Sequence, residues 1–422
     1  MKRLLNYLII GVLIISCNQQ KSKTPKNNEK TLTAKDFLTA RLDSIQKNGK
    51  LIGFGVAMVN ENGVLYENGF GFSNNKTKEK YTKNTVQHIA SVSKTLIGIS
   101  LMKAKELGKL ELDNPINDYL PFKVINPNYP NETISIRHLA THTSGINDSD
   151  QYMNKAWYLT PNQDLSNVRT DYPAQQLNPN DSKVPMEDYL KEYLVKNGTY
   201  YDVNNYIDFS PGERYNYSNI GATLCALIIE KATGMPFDVF TQEHILQPLG
   251  MTSSGWSLED IDISKHSRLY RNDYSLLPFY SAITYPDGML ISSSSDMAKY
   301  LTELVKGYAG KGTLLTKESY QELFREQLDE ENFDGRDDTN PYNGDYSPGL
   351  FIGHSAKGYV GHSGGDAGVG TWMYFDKNTK MGRYIVINTD MGNDNRAKEL
   401  EYYAIWDLMD EYFEKLKAEK EN

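Results

Sequence analysis

Apolar residues along the chain follow two periods. From Thr31 to Gln46, residues Leu32, Phe37, Leu38, Leu42 and Ile45 fall largely on one helical face, and Asn48-Gly49 reads as its stop. Ile52 to Val59 and Val64 to Phe72 are apolar and β-branched runs joined at Asn60-Glu61-Asn62-Gly63, the pattern of an antiparallel hairpin. Helical spacing returns from about Val92 to Leu107, at Ile134 to Thr141, Met186 to Val195, Asn219 to Thr233 and Pro236 to Ile245. It returns again from the Ser292–Ser295 run through about Lys306, and in a closing helix from Lys398 to Lys417. Thr371 to Phe375 and Arg383 to Asn388 read as strands. Between Ile146 and Ile207 regularity falls and Asn, Asp and Tyr dominate.

Strands near both ends with helices between predict an α/β (α+β) fold. Its antiparallel sheet, built from both ends, is flanked by the terminal helices, and the middle of the chain forms an inserted helical lobe. A cleft between two lobes is a common site for chemistry.

Before the first helix the pattern changes. Lys2 and Arg3 precede a short apolar stretch, Leu4 to Ile15, that ends Ile14-Ile15-Ser16-Cys17. The segment is too short for an ordinary membrane span and reads as a signal peptide, residues 1–16. Its end resembles a bacterial lipobox, which implies lipid on Cys17 and a protein anchored in the cell envelope, facing the periplasm, with the outer membrane the expected site. Residues 17–30 are polar and lysine-rich and read as a disordered tether. The thirteen residues after Cys17 would reach roughly 40 Å when extended. Residues 31–422 then form the folded part.

The composition is that of a globular protein, 39% hydrophobic and 23% charged over 422 residues, and the formal net charge of −9 argues against a nucleic-acid partner. The only other cysteine, Cys225, sits in an apolar run and reads as a buried small hydrophobe.

Three short patterns carry candidate chemistry. In Ser91-Val92-Ser93-Lys94 a serine lies three residues before a lysine, on one face of a helix. A serine needs a base to become a nucleophile, and a lysine is one only when its pKa is lowered. The same spacing recurs at Ser44/Lys47, Ser73/Lys76 and Ser100/Lys103, and Ser91 also reads as a helix N-cap. The second pattern is Tyr217-Ser218-Asn219, after the Pro211-Gly212 turn. A tyrosine hydroxyl beside an ammonium could hold a lowered pKa and relay a proton, and an asparagine amide both donates and accepts. Tyr-x-Asn also recurs, at Tyr66, Tyr129, Tyr152 and Tyr270, so a packed Tyr beside a capping Asn is the other reading. The third pattern is His362-Ser363-Gly364-Gly365, read as a glycine-rich approach to the strand at Thr371, and His-x-Gly occurs once in the chain. His138 and His142 have the spacing of two ligands on one helix face, but no Glu follows His138 and no third ligand is evident. Asp148 and Asp150 could touch a cationic substrate group but read first as solvated loop charges.

Taken together with Ile134–Gly145, Phe209–Asn219, Pro248-Leu249-Gly250-Met251 and Asp287-Gly288-Met289-Leu290, these patterns resemble the serine β-lactamase and penicillin-binding-protein superfamily, in its class C β-lactamase-like branch. The resemblance spans most of the chain after residue 31 and implies a β-lactamase/transpeptidase-like fold. It implies Ser91 as acylated nucleophile, Lys94 as its base, and Tyr217 as proton shuttle to the leaving group and from water. It also implies Asn219, His362 and Gly364 as substrate-binding residues, and the N–H groups of Ser91 and Gly365 as an oxyanion hole. The implied reaction is acyl transfer on a small peptide, amide or ester, without metal or cofactor.

Two departures bear on the substrate. Where lactamases of this branch carry Lys-Thr-Gly, this chain has His362-Ser363-Gly364, which looks more like D-amino-acid peptidases, carboxypeptidases or esterases. A protonated His362 would hold a substrate carboxylate. The second departure is the segment of about 146–207, with Trp157 and many tyrosines, which either rims the site or is a surface loop. A true β-lactamase and a non-hydrolysing penicillin sensor remain the alternatives.

Overall fold

Gly53–Asn60 (β1) and Gly63–Asn74 (β2) pair antiparallel across the Asn-Gly turn that the apolar runs predict. The computed structural model describes residues 32–172, 175–333, 347–355, 358–391 and 396–421. The signal peptide, Cys17 and the tether lie outside them. Every residue of β1 is buried. Successive side chains point to opposite faces of a strand, and here each face meets a different core. Phe54, Val56 and Met58 enter one, and Ala57 and Val59 the other.

Glu79–Lys80 (β3) extends the sheet beyond β2, and five strands arrive from the far end of the chain: Ser347–Pro348 (β4), Gly353–His354 (β5), Tyr359–Asp366 (β6), Val369–Asp376 (β7) and Gly382–Ile387 (β8). The order is β4-β5-β6-β7-β8-β1-β2-β3 and every neighbouring pair is antiparallel. The two ends of the chain join where Phe54 of β1 faces Ile387 of β8. The sheet is thus noncontiguous, as expected. One expectation fails locally: His362-Ser363-Gly364 lies inside β6, not in a loop before a strand. Its glycines hide a strand from a pattern search, since they lack the side chains that mark one.

Ala34–Asn48 (α1) starts at a capping box in which Thr33 and Asp36 exchange side-chain and backbone hydrogen bonds. The last helix described, Arg396–Glu421, packs against α1, and both cover one sheet face through Leu38, Leu42, Ile405, Met409 and Phe413. The other face carries Ser294–Tyr308 and, beyond it, the helical lobe. At the centre of that lobe is Asn219–Thr233, whose residues from Ile220 to Ile229 are all buried. A helix apolar all round is a core helix. Cys225 lies inside it, and burial pushes its thiol pKa up.

Residues 146–207 are not a surface loop. Tyr152, Tyr189 and Tyr193 are fully buried, and Trp157–Leu159 pairs with Tyr280–Ala282. The segment packs onto the lobe and reaches the cleft described next.

Candidate active site

Ala90 adopts a left-handed backbone, φ +48°, unusual for a residue with a Cβ. It begins a 3₁₀ turn, Ala90–Ser93, that runs into the helix Lys94–Glu106 (α2). Ser91 is therefore delivered on a strained turn, in a first helical turn whose N–H groups lack intrahelical partners. A continuous helix from Val92 is the expectation; the tighter first turn is the finding.

Lys94 is fully buried. Its Nζ lies 3.1 Å from Ser91 Oγ and donates at 2.6 Å to the backbone carbonyl of Asp287. Burial lowers its pKa, and the carboxylates of Asp287, Asp148 and Asp366 oppose that shift without cancelling it. The ammonium also stands 5.1 Å from the centre of the Tyr217 ring.

Tyr217 differs from expectation. Its hydroxyl is buried beside Ser91 without a well-aligned partner, and burial raises its pKa instead of lowering it. Lys94 faces the ring, not the oxygen, so it gives the phenolate little support. Tyr217 is a neutral O–H at neutral pH.

Asn219 is fixed by a residue that pattern reading leaves in solvent. Asp148 sits half-buried at the start of the helix Asn219–Thr233. Its Oδ2 accepts from the Asn219 backbone and side-chain amides, both at 2.8 Å, and its Oδ1 accepts from Ile220 N and Ser218 Oγ. The available signal was the helix start itself, whose unpaired N–H groups attract a carboxylate. A carboxylate only accepts, so Asn219 turns its Nδ2 to Asp148 and leaves its Oδ1 for the cleft.

His362 also departs from expectation. The ring is buried, and its Nδ1 donates to the carbonyl of Ser363. Burial, reinforced by Lys94, lowers its pKa to about 4. The ring is neutral and lies against Tyr217, with centroids 6.1 Å apart, and it does not line the cleft. It offers no cation to a carboxylate. The other flank of Tyr217 meets the buried His142, at 4.5 Å, whose Nδ1 accepts from Ser218 N. His138 instead accepts from Ser135 N in a helix cap. The two histidines thus serve different backbone contacts, and among the described residues no group of three His, Cys, Asp or Glu side chains gathers to hold a metal.

Gly364 presses on the turn that carries Ser91. A Cβ there would lie 2.7 Å from Ser91 N and 2.9 Å from Ala90 Cβ, so only glycine lets β6 pass so close. Gly365, next along the strand, borders open space. Ser91, Asn219, Gly364 and Gly365 all line a cleft of about 780 Å³. Asp287 lines it too; its carboxylate accepts from Tyr152 and Thr223, and burial raises its pKa to about 7. The segment 146–207 supplies Tyr152, Trp157, Tyr172 and Gln175 to the wall.

A family model described as Beta-lactamase matches residues 38–405. Among curated proteins, PbpX of Bacillus subtilis (strain 168) is 26% identical over 311 residues, 72% of this chain and 66% of that protein. Penicillin-binding protein 4* of the same strain is 28% identical over 201 residues, 47% of this chain and 37% of that protein. The chain thus spans less than two thirds of these relatives' lengths. Among solved structures, D-amino acid amidase from Ochrobactrum anthropi SV3, complexed with L-phenylalanine amide, superposes with a TM-score of 0.64 at 18% identity. The match covers 91% of this chain and 99% of that one, and at this identity it speaks for the fold.

Proposed function

This chain belongs to the beta-lactamase family, and from that membership we propose that it is a serine hydrolase that cleaves an amide or ester through an acyl-enzyme on Ser91. The observation that carries the proposal is the 3.1 Å approach of a fully buried Lys94 to Ser91 Oγ. Desolvation favours the neutral amine, which is the form able to take the serine proton. The Asp287 carbonyl holds the amine in place while it does so.

In the first step Ser91 Oγ attacks the carbonyl carbon and its proton passes to Lys94. The developing oxyanion meets the N–H groups of Ser91 and Gly365, preorganised at the start of a helix and on a strand. Tyr217, neutral and beside Ser91, donates its own proton to the departing group and recovers one from the attacking water, while Lys94 returns its proton to Ser91 Oγ. Water repeats the sequence in reverse and frees the acid. Asn219 Oδ1 accepts from an N–H of the substrate. His362 packs behind Tyr217 and holds it in place.

The substrate class is an amide or a small peptide, with esters as the easier variant of the same reaction. The amidase and penicillin-binding relatives support that class. Lipid on Cys17 would tether the domain to the bacterial envelope; detergent-phase partition of wild type but not Cys17→Ala tests that part.

The test of the reaction is intact-protein mass spectrometry with a p-nitrophenyl ester and with benzylpenicillin. A transient acyl adduct and released p-nitrophenol, both absent in Ser91→Ala, are expected. Full hydrolysis by Ser91→Ala would overturn the proposal. A penicillin adduct that persists while the ester turns over would mark β-lactams as inhibitors of this enzyme.

A further inference from the structure

Across the cleft from Asn219, a second amide is locked by a second carboxylate. Asp366 ends β6, two residues after Gly364 and on the same strand face, about 7 Å further along at 3.3–3.4 Å per residue. Its Oδ1 accepts from Gln175 Nε2 at 2.5 Å and from Ala367 N at 2.8 Å, and the Trp157 indole lies beside it. A carboxylate has only acceptors, so this contact fixes which end of the Gln175 amide is which. The Nε2 end faces Asp366. The Oε1 end is buried, lines the same cleft through its residue, and has no donor among the described residues.

Gln175 and Asn219 therefore share one arrangement. In each, a carboxylate accepts from the amide nitrogen and so turns the carbonyl oxygen to the cleft. A buried acceptor without a donor is costly, so such an atom marks the place of a hydrogen-bond donor. The charge on the wall has the same sense. Asp273, Asp287, Asp366 and Asp390 line the cleft, and Arg271 is the one cation among the described lining residues. Arg271 is already paired with Asp171, donating to its backbone carbonyl at 2.7 Å and lying 3.5 Å from its carboxylate. The His362 ring is neutral and lies behind Tyr217.

We propose that Asp366 and Gln175 form a subsite for a primary ammonium group, so that the preferred substrates are amides or esters carrying a free amine within a few bonds of the scissile carbonyl. The ammonium has three donors and no acceptor. One meets the free capacity of the Asp366 carboxylate and one meets Gln175 Oε1. A substrate whose recognition element is a carboxylate finds no free cation here and faces four carboxyl groups instead. The inference rests on the Ser91 acyl-enzyme reading and adds the substrate's charge to it.

The test is competition against p-nitrophenyl butyrate hydrolysis by D- and L-phenylalanine amide, each as the free amine and as the N-acetyl derivative. For at least one enantiomer the free amine should inhibit at least tenfold more strongly than its acetylated form. Asp366→Asn keeps the shape and the Gln175 contact and should bring that ratio close to one. Gln175→Leu should lower it by a smaller factor. Equal inhibition by amine and acetylated forms in wild type, or none by either, overturns the proposal, as does an Asp366→Asn ratio equal to wild type. These results leave the acyl-enzyme reading intact as long as ester hydrolysis remains dependent on Ser91; loss of that dependence overturns both.

Discussion

Asp148 holds Asn219 by two hydrogen bonds of 2.8 Å, one to its backbone amide and one to its side chain. The same carboxylate caps the central helix of the lobe through Ile220 N and takes the Ser218 hydroxyl. One half-buried acid thus ties the stability of a core helix to the orientation of a cleft amide.

Removing it separates the two effects. Asp148→Ala leaves several buried donors without an acceptor and should cost about 2 kcal/mol or more of stability, read as a fall in Tm. Asp148→Asn retains the volume but can present a donor to Asn219, so kcat/KM should fall about tenfold with a smaller loss in Tm. Asn219→Ala should lose a similar factor, and the double variant should lose little more than either alone, because both act through one amide. Additive losses would show that Asp148 acts on the site by another route.

Gly364→Ala should be a mutation of the site more than of the fold. The added methyl meets Ser91 N at 2.7 Å and Ala90 Cβ at 2.9 Å. Either β6 or the nucleophile's turn must shift by several tenths of an ångström, and positioning errors of that scale lower rates steeply. A fall of about a hundredfold in kcat/KM with a change of only a few degrees in Tm is expected. Near-normal activity would mean that β6 moves freely against the turn.

Histidine titration should appear in stability and not in activity. His88 and His362 are buried and neutral, each with a pKa near 4 because burial disfavours the imidazolium. Unfolding restores a value near 6.5, so between pH 6.5 and 4 the unfolded chain binds more protons than the folded one. Stability is full above pH 6.5 and is lost as pH falls toward 4, by up to roughly 3 kcal/mol for each such histidine. Melting curves from pH 8 to 4.5 should show that loss, and His88→Gln should reduce it. In the same range His362→Gln should leave the shape of the kcat/KM profile unchanged. On the proposed reaction the acid limb of that profile is expected from Lys94, whose pKa burial lowers. A limb that disappears with His362→Gln would return the imidazolium to the mechanism.

Much of the site is legible in the sequence because its parts are local. Ser91 and Lys94 are one helical turn apart, Tyr217 and Asn219 straddle a cap residue, and His362 to Gly365 run along one strand. Spacing alone brings the residues of each group together, while the 3₁₀ turn under Ser91 and the strand under His362 emerge only in the fold. The hairpin of β1 and β2 and the helix Asn219–Thr233 are legible for the same reason: strong patterns bounded by Asn-Gly at one and Ser-Asn at the other.

What pattern cannot carry is the ionisation of those groups. Tyr217 beside an ammonium suggests a lowered pKa, His362 a residue of the cleft wall and Asp148 a solvated charge. Each expectation reverses because burial and orientation, not neighbours in sequence, set the free energy of a charge. Lys94 faces the ring of Tyr217 and not its oxygen, His362 turns behind that ring, and Asp148 is drawn under a helix start some seventy positions away.

The sequence by itself determined the family of the fold and picked out Ser91 and Lys94 as the proposed nucleophile and base, since these are written in residues close together along the chain. Only the tertiary structure decided that residues 146–207 form a wall of the cleft, that Gln175 meets Asp366, and that the cleft offers acceptors and negative charge. Those facts depend on which polar atoms lose water together, and that is fixed by contacts between segments far apart in the chain, where no local spacing can register it.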